Sequence, residues 1–65
     1  MADDQYKLES QRAAVREHIS KYENYPNEQD KQFALRTIRI CQDQIRHILA
    51  HHPHWASSYE DTWMP

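Results

Sequence analysis

Apolar residues fall along the chain at two helical spacings, separated by a break around one proline. In the first segment Leu8, Val15, Ile19 and Tyr22 lie within an arc of about 60° at 100° per residue, a narrow stripe on one helix face. Arg12 falls inside that stripe, and Gln11 and His18 flank it. Asp3 and Asp4 can cap the start and complement the helix dipole. Glu17 and Lys21 form an i,i+4 pair in the favourable order. The pattern predicts a first helix over about residues 4–23. It must end near Asn24, because Pro26 drives Tyr25 out of the helical region.

After the short link Asn24-Tyr25-Pro26-Asn27, Asn27 is a good N-cap, with Glu28 and Asp30 in the first turn of a second helix over about residues 28–51, stopped by Pro53. Its apolar residues Ala34, Ile38, Cys41, Ile45 and Ile48 are spaced 4, 3, 4, 3, a heptad seam of about two heptads. Leu35 and Leu49 widen one edge of the seam. Phe33 and Ile40 stand roughly 140–160° away from Ile38. Arg36, Arg39, Asp43 and Arg46 fill the remaining polar side, with Arg39 and Asp43 placed for an ion pair. A short link makes the two helices antiparallel neighbours.

The two faces do not match. The stripe of the first helix is too narrow to cover the arc of the second, and each wet Ile or Leu forgoes about 1.5–3 kcal/mol. The expected architecture is therefore all-α: an antiparallel two-helix hairpin over residues 1–52 that pairs with a second copy into a dimeric four-helix bundle, followed by a short aromatic tail over residues 53–65. Ile38, Cys41, Ile45, Ile48 and Leu49 are the expected dimer core. Arg12 is expected to snorkel at the dimer edge or to pair with an acid of the facing helix. In the tail, Ser57 and Glu60 have capping-box spacing for a short helical turn. Trp55, Tyr59 and Trp63, four residues apart, would share one face of it, with Glu60 and Asp61 pointing elsewhere. The tail either folds back over Phe33 and Ile40 or anchors in a partner's groove.

Composition narrows the chemistry. At 65 residues the chain is one domain at most and sits near the limit of independent folding. Cys41 is the only cysteine, so no disulfide forms within the chain, and on the apolar seam it reads as an inert small hydrophobe. A single cysteine fits a reducing, cytoplasmic setting, and the acidic N-terminus does not read as a signal peptide. The net charge of −2 weighs against non-specific binding to nucleic acid or anionic membrane. Glycine is absent, which disfavours phosphate-cradling loops. No serine sits in a nucleophile-elbow context, and a lone hairpin has no pocket in which to desolvate its carboxylates, so catalysis has little support and no cofactor is expected.

Three binding readings remain. The first is a non-enzymatic protein-interaction module (a regulator, adaptor or inhibitor) that contacts itself and a larger protein. Trp55, Tyr59, Trp63, Arg39 and Arg46 would make the partner contacts. The second is a metal site. His47 and His51, at i,i+4, are weak candidate ligands, with His54, His18 or a partner chain as a third and His52 nearby. No HExxH motif or cysteine pair accompanies them, and histidines at a helix C-terminus also complement the dipole. The third is nucleic-acid binding through Arg36, Arg39 and Arg46, a face that Asp43 interrupts.

Overall fold

The computed structural model describes residues 3–65. Met1 and Ala2, part of the hairpin unit expected over residues 1–52, lie outside them. Helix α1 spans Asp4–Asn24 and helix α2 spans Glu28–Ala50; a single 3₁₀ turn, Tyr59–Asp61, follows in the tail. No strand occurs among the described residues.

Local chemistry accounts for each boundary. The Asp3 carboxylate caps α1 by accepting the Gln5 N–H at 3.0 Å. At the other end Tyr25 leaves the helix with φ −75° and ψ 127°, the extended region demanded of a residue before proline. The Asn27 side chain then accepts the Gln29 N–H at 2.7 Å and starts α2. That helix closes with the His51 N–H on the Ile48 carbonyl and the His52 N–H on the Leu49 carbonyl, just before Pro53 ends it.

The molecule measures 38 × 22 × 14 Å. A helix with its side chains is about 10–12 Å across, so the hairpin is one helix thick. Its core lies along the seam between the helices: Leu8, Val15 and Ile19 from α1 pack on Ile38, Cys41 and Ile45 from α2. Ala34 is also buried, and Ile48, Leu49, Trp55 and Trp63 close the edges of the cluster.

This arrangement corrects the expectation that α2 needs a foreign cover. Ile38 and Ile45 are fully enclosed, and Cys41 nearly so, within a single chain. The difference is made by the tail, which returns along the hairpin and lays its two tryptophans against the core. It does not return over Phe33 and Ile40, which remain exposed. Arg12 neither snorkels nor pairs with the facing helix; it is buried and paired with the tail.

Candidate functional site

The tail is seated by two arginines of α1 and one glutamine of α2. Arg12 donates from Nε to Asp61 Oδ1 at 2.9 Å and from Nη2 to Asp61 Oδ2 at 2.7 Å, the bidentate fork of a guanidinium on a carboxylate. The same Nη2 donates to the Ala56 carbonyl at 3.1 Å, and Glu9 lies 3.7 Å from Nη1. One helical turn on, Arg16 donates to Glu60 Oε2 at 2.6 Å. From α2 the Gln42 amide donates to two tail carbonyls, Glu60 at 3.1 Å and Trp63 at 2.9 Å.

The tail organises its own acids for this contact. The Ser58 backbone N–H donates to Asp61 Oδ2 at 2.9 Å, the Asp61 N–H donates to the Ser58 carbonyl at 3.0 Å, and the Ser58 hydroxyl donates to Glu60 Oε1. The turn therefore begins at Ser58 and is closed by Asp61, one residue beyond the expected Ser57/Glu60 pair. Glu60 and Asp61, expected to face away, are 3% and 5% exposed. Burying charged groups is costly unless they are paired and bonded, and that condition is met here. Among the described residues no buried side-chain nitrogen or oxygen is left without a partner.

The electrostatics follow from these contacts. The hydrogen bond to Asp61 raises the Arg12 pKa against the opposing effect of burial. The bond to Glu60 does the same for Arg16. Burial pushes Glu60 up, but its bonds from Ser58 and Arg16, with backbone and charge contributions, outweigh this and hold it below the usual carboxylate range.

Two aromatic clusters complete the clasp. The Trp63 ring meets Tyr22 edge-on at 5.7 Å, and the Lys31 ammonium lies 5.2 Å from the centre of the same tyrosine ring. At the other end of the hairpin His52 stacks on Trp55, ring centres 3.8 Å apart and 5° from parallel. His52 Nε2 lies 2.8 Å from Asp4 Oδ2, so it must be the donor. That bond holds the Asp4 carboxyl below its ordinary value.

The remaining sequence candidates divide among three places. Trp55 and Trp63 are half-buried against the core, whereas Tyr59 is exposed, so the three do not share a face. Arg39 and Arg46 are exposed on the outer side of α2, and Asp43 pairs with Arg46 and not with Arg39. On this outer side Phe33 is 56% exposed and Ile40 57%. Seven residues apart, they stand one above the other, and Leu35, Arg36, Arg39 and Asp43 border Ile40 in a shallow groove.

His47 and His51 are exposed beside Asp4, Lys7, Gln11 and Gln44. His52 is engaged by Asp4. His18 Nδ1 lies 2.8 Å from the Ala14 carbonyl, which accepts only, so this nitrogen carries the proton and is not a free ligand. No group of three or more His, Cys, Asp or Glu among the described residues is placed to hold a metal ion. No helix among the described residues is long and apolar enough to cross a membrane. Burial raises the Cys41 thiol pKa and so keeps it protonated.

Sequence reasoning missed Glu60, Asp61, Arg16 and Gln42. One signal was present. Arg12 sits inside the apolar stripe of α1, and Gln42 lies only about 40° around the helix from Ile38 on α2. Two polar groups inside otherwise apolar arcs require partners, and the tail carried two adjacent acids with no partner of their own.

No protein-family model matches the chain, and no curated protein or solved structure shows detectable similarity to it.

Proposed function

We propose that this chain is a non-enzymatic protein-interaction module, a regulator, adaptor or inhibitor, in which the clasped hairpin is a scaffold and the outer face of α2 docks a larger protein. One observation carries this reading. Phe33 and Ile40 are large apolar side chains more than half exposed on a long helix whose other large aliphatic residues are covered or half-covered. Arg36 and Arg39 border Ile40, with Asp43 beside them. An apolar anchor with two arginines at one edge fits a partner groove that is apolar at its centre and carries acid on the matching edge.

Pairing of two copies has to be compatible with the closed hairpin. A bundle built on Ile38, Cys41 and Ile45 would require the helices to separate. Two copies meeting through Phe33 and Ile40 would still place four helices side by side and leave the closed hairpin intact.

The test is the double substitution Phe33→Ala/Ile40→Ala. Exposed positions away from caps and pairs change stability by within about 0.5 kcal/mol, so the variant should melt as the wild type does. Affinity capture from the host, compared between the two chains, should lose a protein that the wild type retains. Light scattering on the same pair separates the occupants: a wild-type dimer that becomes monomeric in the variant identifies the partner as a second copy. Identical capture profiles together with identical masses would remove the reading.

A further inference from the structure

The tail is held as a bound peptide is held. Its two carboxylates are read by Arg12 and Arg16, and its backbone by Gln42 and again by Arg12, through the Glu60, Trp63 and Ala56 carbonyls. Its last tryptophan lies against Tyr22. Arginines on paired acids combined with amide bonds to main-chain carbonyls constitute recognition of an acidic peptide by sequence and by conformation. Ordinary packing of a chain terminus does not need this. The segment that fits is short: Ser58 to Trp63 supplies both acids, the turn that presents them and the aromatic ring.

The seat and its ligand are joined by residues 51–58. Within this connector the backbone makes one bond of its own, from the Trp55 N–H to the His52 carbonyl at 3.0 Å. Pro53 lies inside that bond and offers no N–H to hold the path. A different course through His52 to His54 would leave every contact of the seat unchanged, whichever chain the tail comes from.

We propose that the seat formed by Arg12, Arg16 and Gln42 is a peptide-recognition site, and that it takes the tail of a second copy in place of its own, so that two chains exchange their C-terminal segments. The charge complementarity argues for this occupant: two cations of α1 face two anions that every copy carries at the matching spacing. Exchange of an identical element keeps every contact of the seat and alters only those across the hinge, His52 on Trp55 among them, so the choice between closed monomer and exchanged dimer depends strongly on concentration. A short flexible tether holds its ligand at an effective concentration on the order of millimolar. Dilute chains therefore close on themselves. Exchange takes over when copies are crowded together or when the tail's own seat is disabled. This inference is independent of the outer face of α2, and its test leaves Phe33 and Ile40 untouched.

Two full-length variants disable the closed form in opposite ways: Arg12→Glu/Arg16→Glu reverses the seat, and Glu60→Arg/Asp61→Arg reverses the tail. In each alone, seat and tail repel. Mixed, each tail meets an oppositely charged seat on the other chain. The expected result is a complex of twice the chain mass at micromolar concentration, at least tenfold more abundant than in either variant alone. Two folded variants whose mixture stays at monomer mass would overturn the proposal. If neither variant is helical alone, a helical dimer on mixing supports it equally. If the mixture is unfolded as well, the wild-type chain decides, titrated with a synthetic peptide of residues 56–65. With the chain isotope-labelled and the peptide unlabelled, the NMR indole signal of the chain's own Trp63 should leave its docked position and saturate in the range of about 1–10 mM of peptide, set by competition with the tethered tail. A peptide with Glu60→Gln and Asp61→Asn should leave it in place. No shift with the native peptide, or equal shifts with both, would overturn the proposal.

Discussion

Replacing Asp61 by alanine is the most direct probe of the clasp. The substitution removes the carboxylate from a fork whose arginine is only 8% exposed, leaving Arg12 with the Ala56 carbonyl and a distant Glu9. It also removes the acceptor of the Ser58 N–H. Breaking a buried pair by deleting one partner costs about 3–5 kcal/mol. At roughly 0.05–0.15 kcal/mol per residue, a chain of this length has about 3–10 kcal/mol in all. The chain has one escape: it can release the tail and let water reach Arg12, in which case the loss is limited to the tail's docking energy and the helices persist. The molecule reports which occurs, because both tryptophans are in the tail. Urea titration followed by helical circular dichroism and by tryptophan fluorescence should give either a joint transition shifted by about 3 kcal/mol, roughly 12–24 °C in melting temperature at 4–8 °C per kcal/mol, or a fluorescence transition that precedes the helical one. The double variant Arg12→Leu/Asp61→Leu should recover part of the loss: an apolar pair replaces the buried ion pair at little net cost, but the Ser58 N–H and the Ala56 carbonyl stay without their partners. An Asp61→Ala chain within about 0.5 kcal/mol of wild type by both probes, the scale of an exposed ion pair, would refute the reading that this pair holds the tail.

Acid should open the same clasp. Glu60 and Asp4 both have folded-state pKa values below their ordinary ones. Between the folded and unfolded values the unfolded chain binds more protons. The stabilisation is therefore complete above the ordinary carboxylate range of about 4, and is lost as pH falls through the lower, folded values. A melting temperature that is level near neutrality and declines below about pH 5 is expected; a flat profile down to pH 3 would contradict it. The two sides of α2 should also respond differently. Ile45→Ala, at a fully enclosed position, should lose about 2–5 kcal/mol in urea, whereas Ile40→Ala should change stability by less than about 0.5 kcal/mol. Comparable losses at both would mean that the core is on the wrong side of the helix.

The hairpin was legible in the sequence because each of its determinants is local. Asp3 and Asn27 bond to amides two residues ahead, and Pro26 acts on the residue before it. Ile38, Cys41 and Ile45 announce themselves by spacing alone. The tail was not legible, for a physical reason. Arg12 and Asp61 are 49 positions apart, and no periodicity connects them. Read locally, Glu60 and Asp61 are solvated acids and Trp55, Tyr59 and Trp63 are an apolar face. The structure reverses part of that reading, because Arg12, Arg16 and Ser58 offer enough donors to satisfy buried acids, while Tyr59 stays exposed. The imbalance between the helices was real, but the missing cover was the end of the same chain.

That cover changes what the outer face of α2 means. While the seam appeared uncovered, Phe33 and Ile40 could be regarded as the fringe of a larger apolar surface awaiting a second copy. With Ile38 and Ile45 enclosed, the two stand alone, and scattered exposed apolar residues by themselves need no explanation. Their vertical alignment and the arginines beside Ile40 set them apart from scatter, yet two side chains fall far short of the roughly 800 Å² that each partner contributes to a stable interface of standard size. They are therefore an anchor and not an interface. The remaining contact must come from the polar rim of Arg36 and Arg39, whose exposed charges add more to encounter rate and specificity than to affinity. Binding built this way concentrates its energy in few residues. Loss of either Phe33 or Ile40 should then abolish most of it while the clasped scaffold beneath stays intact, and an interaction that survived both substitutions would have to use a different surface.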